Sequence, residues 1–233
     1  MKTQLILSPS KDAPLPAGPF RLILADPPWA FRTHTSQGRT PTQKKFQEAE
    51  DHYPTMQLAD MAALPLGAVA GKDALLAMWI VGSHCDAALE LGRAWGFDFV
   101  TDLFYWLKQK RIRPDQLGLF SDDIEPLPMS MGYYSRKQVE PCWLFKRGKG
   151  LPVLDHGVRQ LIIEPPGTHS RKPPEAAHRL ERLFGPRPGT DDPPITRLEL
   201  FSRTPRVGWT HWGNEVGKFS DCPERLPKGE ELA

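Results

Sequence analysis

Long apolar runs, paired cysteines and a large excess of charge of one sign are all missing from this sequence. No apolar stretch approaches the ~20 residues that a membrane-spanning helix needs, which excludes a transmembrane reading. The first residues show no charged-then-apolar leader, so a cytoplasmic location is expected. The three cysteines, Cys85, Cys142 and Cys222, are odd in number and far apart. Without a CxxC pair or a Cys/His ligand spacing, neither a disulfide framework nor a zinc site is supported, and no metal is expected. Net charge is only +2 with the histidines neutral. That is too little for a surface coated to hold nucleic acid, so any phosphate contact must come from local clusters. Two clusters qualify: Arg32, Arg39, Lys44 and Lys45, and then Lys108, Lys110, Arg111 and Arg113. Each reads equally well as a solvated loop.

Proline, by contrast, is abundant: 25 of 233 residues, about twice the usual share of roughly 5%. Stiff connections around an ordinary core follow, and the length suits a single domain, 1–233, with its core at about 20–218. The N-terminal stretch and the tail after Phe219 read as loosely held. Phe20–Ala25 is a short apolar run with the character of a buried strand, and Ala74–Val81 is another. Ser83 is placed to cap a helix over His84–Trp95, with Leu89 and Ala87/Ala88 inward, and Gly96 fits its closing position. Phe97–Leu107 then reads as a strand, and this strand–helix–strand unit suggests a parallel pair. Val139–Lys146, Val158–Glu164 and Arg197–Ser202 read as further strands. Pro173–Phe184 reads as a helix opened by a proline pair and closed by Gly185. Residues 32–52 and 108–132 are long loops, of a length often found in lids or binding segments. The alternation points to an α/β fold with a mostly parallel sheet and helices on both faces. In such sheets ligands bind beyond the carboxyl ends of the strands.

At one such end stands Asp26-Pro27-Pro28-Trp29. The lone pair of an adenine amine is delocalised into the ring, so the nitrogen is a poor nucleophile. A carboxylate and a backbone carbonyl accepting its two hydrogens would draw it toward tetrahedral geometry and free that lone pair. Asp26 supplies an ionised acceptor. Pro27 supplies a carbonyl on a chain whose φ is locked, and Pro28 biases it to an extended form. Trp29 offers a face on which a flipped base could stack. The competing reading is a proline-rich turn with Asp26 as its cap. The complete four-residue string at a strand end favours chemistry.

The sequence at this point resembles the DPPW-type adenine methyltransferases, the family of the catalytic subunit of the eukaryotic messenger-RNA adenosine methyltransferase and its bacterial and phage relatives. The similar segments run in family order: ADPPWAF at 25–31, HYPTM at 52–56, LLAMWIVGS at 75–83, AWGFDFVTDLFYWLK at 94–108, MGYYSRKQVEPCWLFKRGK at 131–149, HSRKPPEA at 169–176 and LELFSRTPRVGWTHWGNE at 198–215. The resemblance implies a Rossmann-like methyltransferase core of permuted motif order, with S-adenosylmethionine as cofactor. It implies that Asp26, Pro27, Pro28 and Trp29 form the catalytic pocket, with Asp26 and Pro28 also near the cofactor. Tyr53 matches a tyrosine close to the adenine site, though a loop anchor is an equal reading. Glu140 matches a glutamate near the substrate, and a buried acid in a strand otherwise lacks a reason. Lys172, Arg203, Asn214 and Glu215 match cofactor-binding positions, Lys172 as a cation for the methionine carboxylate. Glu199 is expected to be structural. The sequence departs from the family at Arg206, where an asparagine is expected, and at Glu215, where an acid replaces an amide. Asp12 is the only acid in the stretch that carries a cofactor contact in the eukaryotic enzyme, and that enzyme's zinc-finger extension has no counterpart.

The leading expectation is therefore methyl transfer to N6 of adenine in nucleic acid, DNA ahead of RNA by analogy with compact bacterial and phage members. A catalytically silent nucleic-acid-binding subunit is the alternative from another class, and a methyltransferase of another amine is a third. The intact Asp26-Pro27-Pro28-Trp29 argues against silence. Substrate phosphates are expected at Lys44, Lys45, Lys110 and Arg111. No membrane partner is expected, and a homodimer or a heterodimer with a related subunit stays open.

Overall fold

Phe20–Ala25 (β1) is buried at five of its six positions, because apolar residues fill both of its faces, as a central strand covered on both sides requires. The chain is represented by a computed structural model that describes residues 14–29, 55–109, 134–167, 171–186 and 195–218. Around β1 the described residues form a seven-stranded sheet. Its other strands are β2 (Ala70–Trp79), β3 (Asp98–Lys108), β4 (Val139–Arg147), β5 (Leu161–Glu164), β6 (Arg197–Leu200) and β7 (Thr210–Trp212), in the order β5-β3-β4-β2-β1-β6-β7. The pairs β1·β2, β1·β6, β3·β5 and β6·β7 are parallel, and β4 runs antiparallel to both β2 and β3.

The helices are α1 (Leu58–Ala62), α2 (Leu66–Val69), α3 (Cys85–Ala94) and α4 (Glu175–Phe184). On one face Met61 of α1, Leu66 of α2, and Ala88 and Leu91 of α3 pack with Ile23, Leu76, Phe145 and Leu198. On the other, Ala176, Ala177, Leu180 and Leu183 of α4 pack with Leu22, Leu24, Ala77 and Trp106. Helices thus cover both faces of a mostly parallel sheet, as expected from the sequence. Leu180 is fully buried. Leu180→Ala should lower the unfolding free energy by about 2–5 kcal/mol, the usual range for such a cavity. Urea melts would measure it, and a loss below about 1 kcal/mol would show that α4 does not seal this layer.

Several expectations need correction. β2 and β3 point the same way but are not hydrogen-bonded neighbours, because β4 lies between them. Helix α3 begins at Cys85 behind a short 3-10 turn over Gly82–His84, and its N-cap is His84 with no side-chain capping bond. Ser83 instead hydrogen-bonds the His84 ring at 2.9 Å. Leu89 is only half-buried, and Ala88, Leu91 and Gly92 carry the inward face. Gly92 is held to glycine by Phe145: a Cβ there would sit 2.5 Å from its ring. Strand β5 starts at Leu161 rather than Val158. The loops at 32–52 and most of 108–132 lie outside the described residues.

Registers align the strand ends that matter. Ala25 of β1 pairs with Met78 of β2 and Leu200 of β6, and Leu200 pairs with Trp212 of β7. Trp106 and Leu107, near the end of β3, pair with Glu140 and Val139 at the start of β4. One edge of the sheet therefore gathers Asp26, Lys108, Glu140, the segment after β6 and the segment after β7.

Candidate active site

Asp26 is the first residue beyond β1, and its backbone N–H reaches the Leu200 carbonyl at 3.4 Å. Strand alternation turns its side chain to the α4 side, the side of Leu22 and Leu24. There it meets Lys172, which approaches from the segment leading into α4. The ammonium Nζ lies 2.8 Å from Asp26 Oδ1 and 3.0 Å from Oδ2. Arg203, three residues after β6, places its guanidinium 3.6 Å from Oδ2. Glu140 at the start of β4 lies 3.5 Å from the same lysine and 2.5 Å from Lys108 at the end of β3. Three cations thus surround two carboxylates, all with side chains at most a quarter exposed.

The charge states follow from this packing. Burial pushes the Glu140 carboxyl up, but the Lys172 and Lys108 charges more than offset it and hold its pKa at about 2. Burial pushes Lys172 down, and the Asp26 and Glu140 carboxylates outweigh that, leaving its pKa raised. The pair is therefore ionised across the neutral range. Because the folded value of Glu140 lies below the unfolded one, its contribution to stability is full above about pH 4.5 and is lost as pH falls toward about 2. Glu140→Gln should remove that part of the acid unfolding slope while leaving the slope above about pH 5 unchanged. Thermal melts across that window would show it, and an unchanged slope in the variant would contradict the pairing. Cys142 on β4 is fully buried, and burial together with the Asp26 charge pushes its thiol up, so it is inert.

A cleft opens between these strand ends and the start of α4. Its lining includes Asp26, Lys172, Glu199, Phe201, Arg203 and Arg206. Phe201 lies in the left-handed region at φ 58°, a position that costs a residue other than glycine about 1–3 kcal/mol. Its surroundings impose it. The Phe201 ring packs edge-on against Trp212 at 5.6 Å, and the Ser202 N–H donates to the Trp212 carbonyl at 3.0 Å. Gly213 closes the contact, since a Cβ there would come within 2.9 Å of the Ser202 backbone.

Of the residues singled out from the sequence, Asp26, Glu140, Lys172 and Arg203 come together. Asn214 and Glu215 lie two and three residues past Trp212, the last residue of β7, and outside the cleft lining. Glu215 pairs with Lys218 at 2.5 Å. Tyr53, Lys44, Lys45, Lys110 and Arg111 lie outside the described residues. Trp29 differs from expectation. It is 3% exposed within the core, and its indole N–H donates to the Trp79 carbonyl at 3.2 Å. Its ring is spent on packing and offers no free face to a base. The Pro27 carbonyl accepts the Trp29 N–H at 2.8 Å, and the Pro28 carbonyl accepts the Met56 N–H at 3.0 Å. Pro27 itself is buried, and neither proline is part of the cleft lining.

Glu199, read from the sequence as structural, lines the cleft and pairs with Arg206 at 3.1 Å. The signal was present: Leu198 and Leu200 are the core pair on β6, so Glu199 must face the other side, where a charge needs partners. The ion-pair role of Lys108 carried no sequence signal. Among the described residues no cluster of His, Cys, Asp or Glu could hold a metal, and no helix is long and apolar enough to cross a membrane.

A mostly parallel sheet with helices on both faces, an acid directly after a central strand and a charged cleft at the strand ends together define a Rossmann-like methyltransferase fold. The sequence profile of the MT-A70 family matches residues 20–215, and the chain belongs to that family. It is 27% identical over 212 residues to the type II methyltransferase M.MunI of Mycoplasma sp, covering 87% of this chain and 80% of that protein. It is 27% identical over 205 residues to the human N(6)-adenine-specific methyltransferase METTL4, covering 86% of this chain. It is 28% identical over 214 residues to the N6-methyladenosine RNA methyltransferase MTA1 of Pyricularia oryzae, covering 87% of this chain. The chain spans only 38% and 48% of the lengths of these last two.

Proposed function

We propose that this protein transfers a methyl group from S-adenosylmethionine to the exocyclic amine of adenine in nucleic acid, with DNA preferred to RNA. The observation that carries the reading is the Asp26 carboxylate, set at the end of the central strand beside a cleft and held by Lys172 and Arg203. The donor set of the cleft suits the cofactor: Lys172, Arg203 and Arg206 fit the carboxylate of an amino-acid group, and Glu199 fits hydroxyls. When bound, S-adenosylmethionine supplies an electrophilic methyl group on sulfur. Asp26 accepts a hydrogen bond from the amine and strengthens it as the nitrogen turns tetrahedral. The Pro27 carbonyl would accept the second hydrogen once the base is bound, using the lone pair that Trp29 leaves it. Lys172 and Arg203 hold the Asp26 carboxylate in place, and Glu140, itself fixed by Lys108, holds Lys172. Asn214 and Glu215 would reach the adenosine end of the cofactor, and Tyr53, with the basic residues Lys44, Lys45, Lys110 and Arg111, would meet the nucleic acid.

The preference for DNA draws support from M.MunI, the relative of which this chain spans 80%, whose name is that of a type II methyltransferase. Labelled methyl transfer in a mixture of equal amounts of DNA and RNA tests it. The label should enter DNA faster; faster labelling of RNA would reverse the preference while leaving the chemistry in place.

A further inference from the structure

His211 on β7 is fully buried, touches no catalytic group and lies beneath the segment that carries Arg203. Its hydrogen bonds reach both sides of that arginine. The Arg206 backbone N–H contacts Nε2 at 2.8 Å. A backbone N–H can only donate, so Nε2 holds a lone pair and the ring proton sits on Nδ1. Nδ1 lies 2.9 Å from Ser202 Oγ, which passes its own hydrogen to the Thr204 carbonyl at 3.3 Å. Residues 202, 204 and 206 are thereby tied to one imidazole. The charged groups acting on the ring are Glu199 of β6, 3.5 Å from Nδ1, and the guanidinium of Arg206, which pairs with the same Glu199 oxygen. Burial lowers the His211 pKa below its ordinary 6.5 and outweighs the attraction of Glu199, so the ring is neutral at neutral pH. The Arg206 carbonyl also stands 3.2 Å from Nε2. A proton on Nε2 would repel the Arg206 N–H and turn to that carbonyl, so the two states of the ring favour two different arrangements of the turn.

We propose that His211 is a positioning residue for the cofactor: its unprotonated ring fixes the Phe201–Arg206 turn with Arg203 and Arg206 facing the cleft, and protonation releases the turn and weakens cofactor binding. The proposal rests on the cofactor reading of this cleft. Titration calorimetry with S-adenosylhomocysteine at about pH 8 and about pH 4.5, the lower value set well below an ordinary histidine because burial lowers this one, compares the two states of the ring. Wild type should bind at the higher pH and about tenfold more weakly at the lower, the size expected for one buried hydrogen bond lost. His211→Gln places an amide oxygen where Nε2 accepts and cannot be protonated. It should keep the high-pH affinity and lose the pH dependence. His211→Phe, folded by circular dichroism, should bind about tenfold more weakly at both pH values. Equal pH dependence in wild type and His211→Gln would overturn the proposal, as would wild-type affinity in His211→Phe. If His211→Phe does not fold, the comparison of wild type with His211→Gln still decides. No binding by wild type at about pH 8 would instead sink the cofactor reading, and the proposal with it.

Discussion

Asp26→Ala should slow methyl transfer by about 10²–10³ in single turnover, the usual effect of removing one group that bonds the transition state more strongly than the ground state. The fold should persist, because Asp26 stands beyond the end of β1, a quarter exposed, and contributes nothing to the apolar layers. Lys172 would retain Glu140 at 3.5 Å and so keep a partner. The loss should fall on the rate constant rather than on nucleic-acid affinity. Asp26→Asn keeps the shape but offers a weaker acceptor and leaves Lys172 and Arg203 facing a neutral group, so it should be no faster than a tenth of wild type. A folded Asp26→Ala protein retaining more than about a tenth of the wild-type rate would show that the carboxylate does not bond the amine in the transition state.

Trp29→Ala should destabilise the protein by about 3–5 kcal/mol, the range for removing a large aromatic from a core. The side chain is 3% exposed and its N–H is spent on the Trp79 carbonyl. A base-stacking role would instead leave stability unchanged and raise the substrate constant, since stacking is worth about 1–3 kcal/mol per base. Trp29→Phe separates packing from the hydrogen bond: it should recover most of the loss and leave a deficit of about 1–3 kcal/mol for the orphaned carbonyl. Urea unfolding with a parallel substrate titration distinguishes the accounts. Wild-type stability with a raised substrate constant in Trp29→Ala would return the ring to the pocket.

The sequence was most legible where punctuation was strong. Strand β1 runs over Phe20–Ala25 as read, because prolines flank a run of apolar residues on both sides. Helix α4 keeps its expected inward face of Ala176, Leu180 and Leu183 and ends at Gly185. Strand β7, three residues inside GWTHWGNE, is too short for alternation to register. The insertion of β4 between β2 and β3 is a non-local pairing that no local pattern encodes, and chain order misleads because neighbours in sequence usually pair. The site divides the same way. Asp26 and Arg203 announce themselves by standing at strand ends. For Trp29 only the turn shows where the ring goes: its backbone N–H folds back to the Pro27 carbonyl and it bridges to Met56, which carries the ring into the core. Glu199 was legible from the Leu198/Leu200 alternation on β6, whereas His211 depends on partners that the chain brings together only in three dimensions.

The central claim is tested most directly by mass spectrometry of nucleosides from DNA and RNA incubated with the purified protein and S-adenosylmethionine carrying an isotopically labelled methyl group. The labelled methyl should appear on N6 of adenine, in DNA above RNA, and its rate of appearance should fall by about 10²–10³ with Asp26→Ala. Label on another base or another atom, or no label from a folded protein that binds the cofactor, would contradict the account.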